Sequence, residues 1–346
     1  MRVTLADIAR SLGVSESTVS RALNDNPRVS RQTRMRVKAA AEEMGYIRDE
    51  IAKCLRVRQT EVLGFITGGF TSSYPNDILQ GVETTASRMG YSVIVGTSRA
   101  DPQVERRLIT AFLGRKVDGI VVSPVVSDEN VDLYNWLLAR GFPIIFVDRH
   151  LPEVKCSYIT TDNYKGALLG VLHLIDQGYR RIVCLAGTEA HCFEVQERVR
   201  GYTDALDQHG LSYRYIQGDQ SIDECPTHVF YGYHYTLNLL KSAEMPDAIF
   251  AINDEIALGA LRACVEAGLR VPEDIGIIGF DNVMLDAYLP ISLSSIHQPK
   301  SEMGIAAANW VISAAKGPHY DVIEQLLTPT LVVRESTLRK GLNQSR

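Results

Sequence analysis

The chain has 346 residues, 45% hydrophobic and 22% charged, with a formal net charge of -5. That length holds two or three domains around a substantial core. No run approaches the ~18 apolar residues of a membrane span, and Arg2, Asp7 and Arg10 leave no room for an initial secretory segment. Cysteines 54, 156, 184, 192, 225 and 264 show no C-x-x-C pairing, as in a reduced compartment. The expectation is a soluble cytoplasmic protein with no membrane partner.

Charge is unevenly distributed. Residues 1–60 carry 12 Lys/Arg against 7 Asp/Glu, while the remaining 286 carry 24 against 34. A basic head on an acidic body points to a polyanionic partner for the head alone.

Leu5, Ile8, Ala9 and Leu12 fall at i, i+3, i+4 and i+7, the apolar stripe of one short helix. Thr4 and Asp7 fit a reciprocal cap at its start, and Gly13 suits its end. Ser15 is placed to cap a second helix. On that helix Ser15, Thr18, Val19, Ala22 and Leu23 share one side, and Glu16, Ser17, Ser20, Arg21 and Asn24 share the other. An outward row of hydrogen-bonding groups is what a helix entering a major groove needs; an ordinary small bundle shows the same pattern. Ser30 opens a third helix with Val37, Ala40, Ala41 and Met44 on one face, closed by Gly45. In 49–57, Ile51, Ala52 and Leu55 form a narrow apolar stripe, too short for a stable helix alone.

From Glu61 the texture becomes α/β. Strands are expected at 62–67, 92–97, 119–123, 143–148, 158–161, 182–186, 214–217, 248–251 and 275–279. Helices fit at 76–89, 102–114, 129–140, 163–177, 193–209, 228–242 and 254–267. Such alternation argues for parallel sheets covered on both faces. Nine strands suit two sheets, hence two subdomains with a cleft. Ligands gather at the carboxyl ends of such strands. The candidates there are 68–75, Ser123, Asp148, Arg149, 187–198, Gln220, Asn253, Asp254 and Asp281. Singly, each also has a local use: Asn253 as a helix cap, or Asp148 as a partner for Arg149.

Taken together, the residues resemble the lac repressor family, nearly collinearly from Val3 to Arg339. Thr4-Leu5-Ala6-Asp7-Ile8-Ala9, Gly13-Val14-Ser15 and Thr18-Val19-Ser20-Arg21-Ala22-Leu23-Asn24 carry the strongest signal. Gly45-Tyr46-Ile47, Val117-Asp118-Gly119-Ile120, Ile252-Asn253-Asp254-Glu255 and Ile277-Ile278-Gly279-Phe280-Asp281 continue it. Ser295-Ile296-His297-Gln298-Pro299 is similar to the purine-repressor branch.

The resemblance implies a helix-turn-helix head (1–47), a hinge (48–60) and a periplasmic-binding-protein-like body of two doubly wound parallel-sheet subdomains. The first subdomain is expected at 61–162 and 291–323, the second at 163–290 and 324–340. It implies a homodimer on double-stranded operator DNA, acting as a repressor of carbohydrate genes under a small-molecule effector. Glu16, Ser17 and Arg21 would then read bases. Thr4, Ser15, Thr18, Asn24, Thr33 and Arg34 would hold the DNA, mainly at phosphates, and Leu55 would wedge into the minor groove.

Ser123, Asp148, Arg198, Asn253, Asp281 and Gln298 match effector positions, and Gln220 stands where relatives often stack an aromatic ring. Arg149 beside Asp148 adds a second arginine, so a sugar phosphate or sugar acid joins plain sugars among the expected effectors. Arg48-Asp49 stand where the family has Pro before Asn, placing an acid near phosphate. A solute-binding protein would have no use for the basic head. An enzyme is disfavoured by the absence of G-x-S-x-G, G-x-x-x-x-G-K and H-E-x-x-H. No cofactor, metal or catalytic residue is expected.

Overall fold

A computed structural model describes residues 3–46, 59–187, 191–212, 214–217, 227–242, 244–317 and 319–339. Leu55, Gln220 and positions 48–58 of the expected hinge lie outside the described residues. The chain divides into two units, Met1–Thr60 and Glu61–Arg346.

Among its described residues the first unit holds three helices: α1 (Leu5–Leu12), α2 (Glu16–Leu23) and α3 (Arg31–Glu43). Their ends follow local chemistry. Thr4 Oγ1 accepts from Asp7 N at 3.3 Å while Asp7 Oδ2 accepts from Thr4 N at 3.0 Å, and Gly13 takes φ 66° past the end of α1. Ser15 and Ser30 cap α2 and α3 by accepting from Thr18 N and Thr33 N, each cap contributing about 1 kcal/mol. Ile8, Ala9, Val19, Ala22, Val29, Val37 and Ala41 form the small core.

The described residues of the second unit form two six-stranded sheets. The first is ordered β11-β5-β4-β3-β1-β2, from β1 (Val62–Thr67), β2 (Ser92–Thr97), β3 (Gly119–Val122), β4 (Ile144–Val147), β5 (Ser157–Thr161) and β11 (Glu324–Leu327). All its pairings are parallel. Buried residues cover both its faces, which is why its central strands read as unbroken apolar runs.

The second sheet is ordered β12-β10-β9-β8-β6-β7. Its strands are β6 (Ile182–Gly187), β7 (Arg214–Gln217), β8 (Ala248–Ala251), β9 (Gly276–Asp281), β10 (Ser294–His297) and β12 (Thr330–Val332). Among the described residues, the β10–β12 pairing alone is antiparallel.

The helices are α4 (Tyr74–Arg88), α5 (Pro102–Gly114), α6 (Val131–Leu138), α7 (Asn163–Asp176), α8 (Phe193–Asp207), α9 (His228–Leu240), α10 (Asp254–Glu266) and α11 (Lys300–Lys316). The helix expected at 129–140 is shorter, preceded by a 3-10 turn at Asp128–Asn130.

Among the described residues the chain crosses between the subdomains three times. The first crossing follows β5, at Asp162. The second falls at Gln298–Pro299, not near 290, because Ser294–His297 pair in parallel with β9. The third follows β11 rather than preceding it: Glu324 pairs with Tyr158 in the first sheet, and the chain returns to the second sheet at Thr330. Helix α11 therefore belongs to the first subdomain. It packs against α4 so closely that a Cβ on Gly81 would stand 2.2 Å from Ser301 O, and one on Gly304 2.1 Å from Ile78 O.

Candidate functional site

In the first unit, Val19 and Ala22 turn inward, while Glu16, Ser17, Arg21 and Asn24 are exposed. The outward row of α2 thus forms as its periodicity requires. Other expected DNA-facing groups have local partners. Ser15 Oγ lies 2.9 Å from Ser17 Oγ and 2.8 Å from Thr18 Oγ1. Asn24 Nδ2 donates to Ser20 O at 2.6 Å, and Thr33 Oγ1 lies 2.8 Å from Ser30 Oγ. Thr4 is committed to the cap of α1. Arg34 Nη1 donates to Asp25 O at 2.9 Å, beside a Lys38–Asp25 ion pair of 2.7 Å. These two cations of α3 fix the turn after α2, and Lys38 holds the Asp25 carboxyl below its usual pKa.

In the second unit, the carboxyl ends of both sheets open into one cleft of about 420 Å³. Ser123, Asp148, Arg149, Arg198, Asn253, Asp281 and Gln298 all line it. Tyr74, His191, Cys192, Glu194, His228 and Glu255 line it too; of these, His228 and Glu255 lie outside the segments singled out in the sequence.

On the first-subdomain wall, Asp148 has φ 67°, which turns its carboxylate into the cleft. Tyr74 OH donates to Asp148 Oδ1 at 2.8 Å, and Ser123 Oγ donates to Oδ2 at 3.2 Å. Burial raises the Asp148 pKa, opposed by Arg149 and by Tyr74. The wall from Ser123 to Val126 is braced from behind by Glu105, which is fully buried. Its Oε2 accepts from Val125 N at 2.7 Å, and its Oε1 from Tyr134 OH at 2.8 Å and Asn130 Nδ2 at 3.0 Å. Burial pushes the Glu105 pKa up. Glu105 shares the helix face that buries Ile109 and Phe112, but its charge reads as surface in sequence.

On the second-subdomain wall, Arg198 is buried. Its Nε donates to Asn163 Oδ1 at 2.7 Å, its Nη1 donates to Ile252 O, and its guanidinium lies 3.9 Å from the Phe280 ring centroid. Asn253 caps α10 by accepting from Ile256 N at 2.8 Å, and its Nδ2 meets His228 Nδ1 at 3.0 Å. The cap and the cleft position are therefore compatible roles. Asp281 ends β9 at φ 134° and accepts from Gln298 Nε2 at 2.7 Å. Its pKa is pushed up to about 8, by burial first and by the charge of Asp254 second.

Several contacts join the walls. Tyr74 OH lies 3.1 Å from Gln298 Oε1. Glu194 Oε1 accepts from His150 N at 3.0 Å and lies 2.8 Å from His150 Nδ1. Arg149 Nη1 lies 3.9 Å from Cys192 Sγ. Arg149 also has Asp148 Oδ2 3.7 Å from its Nε. The two expected arginines do reach one cleft, and each already has protein partners there.

Residues 4–49 match the family of bacterial regulatory proteins, lacI family, and residues 171–337 match the periplasmic binding protein-like domain. The HTH-type transcriptional repressor CytR of Escherichia coli (strain K12) is 31% identical over 339 residues, covering 96% of each chain. The lac repressor dimer, solved bound to operator and the anti-inducer ONPF, superposes with a TM-score of 0.86 at 28% identity, over 98% of this chain and 100% of that one. The transcriptional regulator CelR in its cellobiose complex gives 0.71 at 30% identity, over 97% and 100%. A capped reading helix, a two-sheet body around a cleft and collinear relatives agree: the chain belongs to the lacI family of bacterial regulatory proteins, the DNA-binding transcriptional regulators.

Proposed function

We propose that this chain is a cytoplasmic, homodimeric, non-enzymatic repressor of carbohydrate-metabolism genes, released or recruited by a small polyhydroxylated effector in the body cleft. The observation that carries this reading is the cleft itself. It places residues from both sheets around one space, so a ligand there contacts two bodies whose arrangement it biases. A ligand shifts such an equilibrium only through its difference in affinity for the two arrangements. Support comes from relatives solved with operator and anti-inducer, and with cellobiose.

On DNA, Glu16, Ser17 and Arg21 read base edges, with Arg21 suited to a guanine. Ser15, Thr18, Asn24, Thr33 and Arg34 hold phosphates, where their hydroxyls, amide and guanidinium supply donors. Leu55 opens the minor groove between the two half-sites.

The test is operator affinity measured at fixed salt. Binding to a palindromic site is expected to exceed binding to random DNA of equal length by at least ~10³-fold, and one class of sugar is expected to change it. Equal affinity for both DNAs, with and without sugars, would refute the reading.

A further inference from the structure

The cleft contains a charged acceptor that the protein satisfies only by half. Glu194 is the second residue of α8 and is 4% exposed. Its Oε1 is occupied from the opposite subdomain, by His150 N and His150 Nδ1. The His150 ring is held in place by stacking on Tyr158, 4.3 Å between centroids, and by the edge of Phe193. Glu194 Oε2 is buried with no hydrogen-bond partner among the described residues. The first turn of a helix favours a negative side chain, and a buried carboxylate oxygen left without a donor is costly.

We propose that Glu194 is a specificity-determining acceptor: Oε2 takes a hydrogen bond from a hydroxyl or amine of an uncharged or cationic effector, and the cleft rejects anionic effectors. The assignment rests on the reading of this cleft as an effector site.

The charges around it point the same way. Glu255 shares the lining with Glu194. Arg198 is held by Asn163, Ile252 O and the Phe280 face, and Arg149 lies against Asp148 and Cys192. A phosphate or carboxylate entering here meets carboxylates before it meets an uncommitted guanidinium, and like charges in a low-dielectric site repel strongly. A donor on Oε2 also adds to the carboxylate that already bridges the subdomains, so such a ligand favours the closed arrangement.

The test uses the full-length protein and matched pairs: glucose and glucosamine against glucose 6-phosphate, ribose against ribose 5-phosphate, adenosine against its 5′-monophosphate. Affinity is measured by calorimetry and operator release by fluorescence anisotropy. The uncharged or amine member of the bound pair is expected to bind at least about tenfold tighter than its phosphate. Glu194→Gln, which puts an amide donor where an acceptor stood, is expected to weaken that ligand about tenfold or more.

A preference for the phosphate member, or equal affinity in Glu194→Gln, would overturn the assignment while leaving the cleft an effector site. If the variant does not fold, the pairwise preference of the unmodified protein still decides. No binding by any compound, with operator affinity unmoved, would overturn both this assignment and the effector reading on which it rests.

Discussion

The ammonium of Lys300 donates to the main-chain carbonyls of Asp281 and Asn282, reaching from the first turn of α11 in one subdomain to the end of β9 in the other. Lys300 is 4% exposed, and Asp77 Oδ2 lies 3.7 Å from its Nζ. A buried cation spanning the two halves at the second chain crossing fixes how that crossing meets the cleft floor. Lys300→Met leaves two carbonyls without their donor and is expected to lower unfolding free energy by about 2–3 kcal/mol. Urea denaturation measures it; a loss below about 0.5 kcal/mol would make the strap a surface contact.

The acids beside that strap make stability pH-dependent. Asp281 is raised from 3.8 to about 8 and Asp286 to about 6, both chiefly by burial, and Asp254 is raised well above its ordinary value for the same reason. A carboxyl whose folded pKa is raised keeps a proton that the unfolded chain has released, so stability falls as pH rises through the window between the two values. For Asp281 that window runs from 3.8 to about 8. The ligand-free melting temperature is therefore expected to decline across that window, and Asp281→Asn to flatten the decline. Arg198, Lys300 and Gln298 face Asp281 and oppose the shift, so the slope reports the balance. A melting temperature that rises across the window would contradict it.

The seam between α4 and α11 has no space for a methyl group. Gly304→Ala puts a Cβ against Ile78 O at 2.1 Å, and both helices would have to separate. Overpacking of this kind costs about 1–3 kcal/mol, more than the helix propensity gained by replacing glycine, about 1 kcal/mol. A net loss of stability by calorimetry is expected. A net gain would show that the seam relaxes.

Sequence periodicity reached most of this fold because most of it obeys simple rules. The head helices carry their own caps, and β1, β3, β4, β6 and β8 are short apolar runs. The end of the chain obeys them less. Ser294–His297 and Glu324–Leu327 are strands whose polar positions break the apolar run, which displaced two chain crossings. Helix α11 buries Met303, Gly304, Ala307, Ala308, Val311, Ile312 and Ala314, small residues spread too widely for a clean stripe. In the cleft, residues legible by motif were found. Glu105 and Lys300, which brace it, were not, because a charged side chain reads as solvent-facing until its partners are seen.

The proposed base-reading role of α2 separates two kinds of contact. Ser15 holds the start of α2 through Thr18 N, so Ser15→Ala is expected to cost about 1 kcal/mol of stability and to weaken every operator alike. Arg21 is exposed on the outward row. Arg21→Ala is expected to cost about 1–3 kcal/mol at one base pair and to relax preference there, with little change in stability. Anisotropy against a panel of single-base operator variants distinguishes them. Uniform weakening by Arg21→Ala would place that side chain on phosphate.

Arg198 couples the cleft wall to the sheet beneath it. Its guanidinium joins Asn163, at the start of α7 just past the first crossing, to the carbonyl of Ile252 at the end of β8, and it lies over Phe280 of β9. Three segments that line or border the cleft thus share one side chain. Arg198→Ala leaves Asn163 Oδ1 and Ile252 O without this donor, and a stability loss of about 1–3 kcal/mol is expected for each group left unpaired. Arg198→Lys cannot restore the geometry, since an ammonium lacks the planar fork that serves two acceptors and stacks on a ring. Measured well below the melting temperature, both variants are expected to bind operator without effector and to lose the effector's influence on that binding. An undiminished effector response in either variant would separate Arg198 from the coupling and leave it a purely structural clamp.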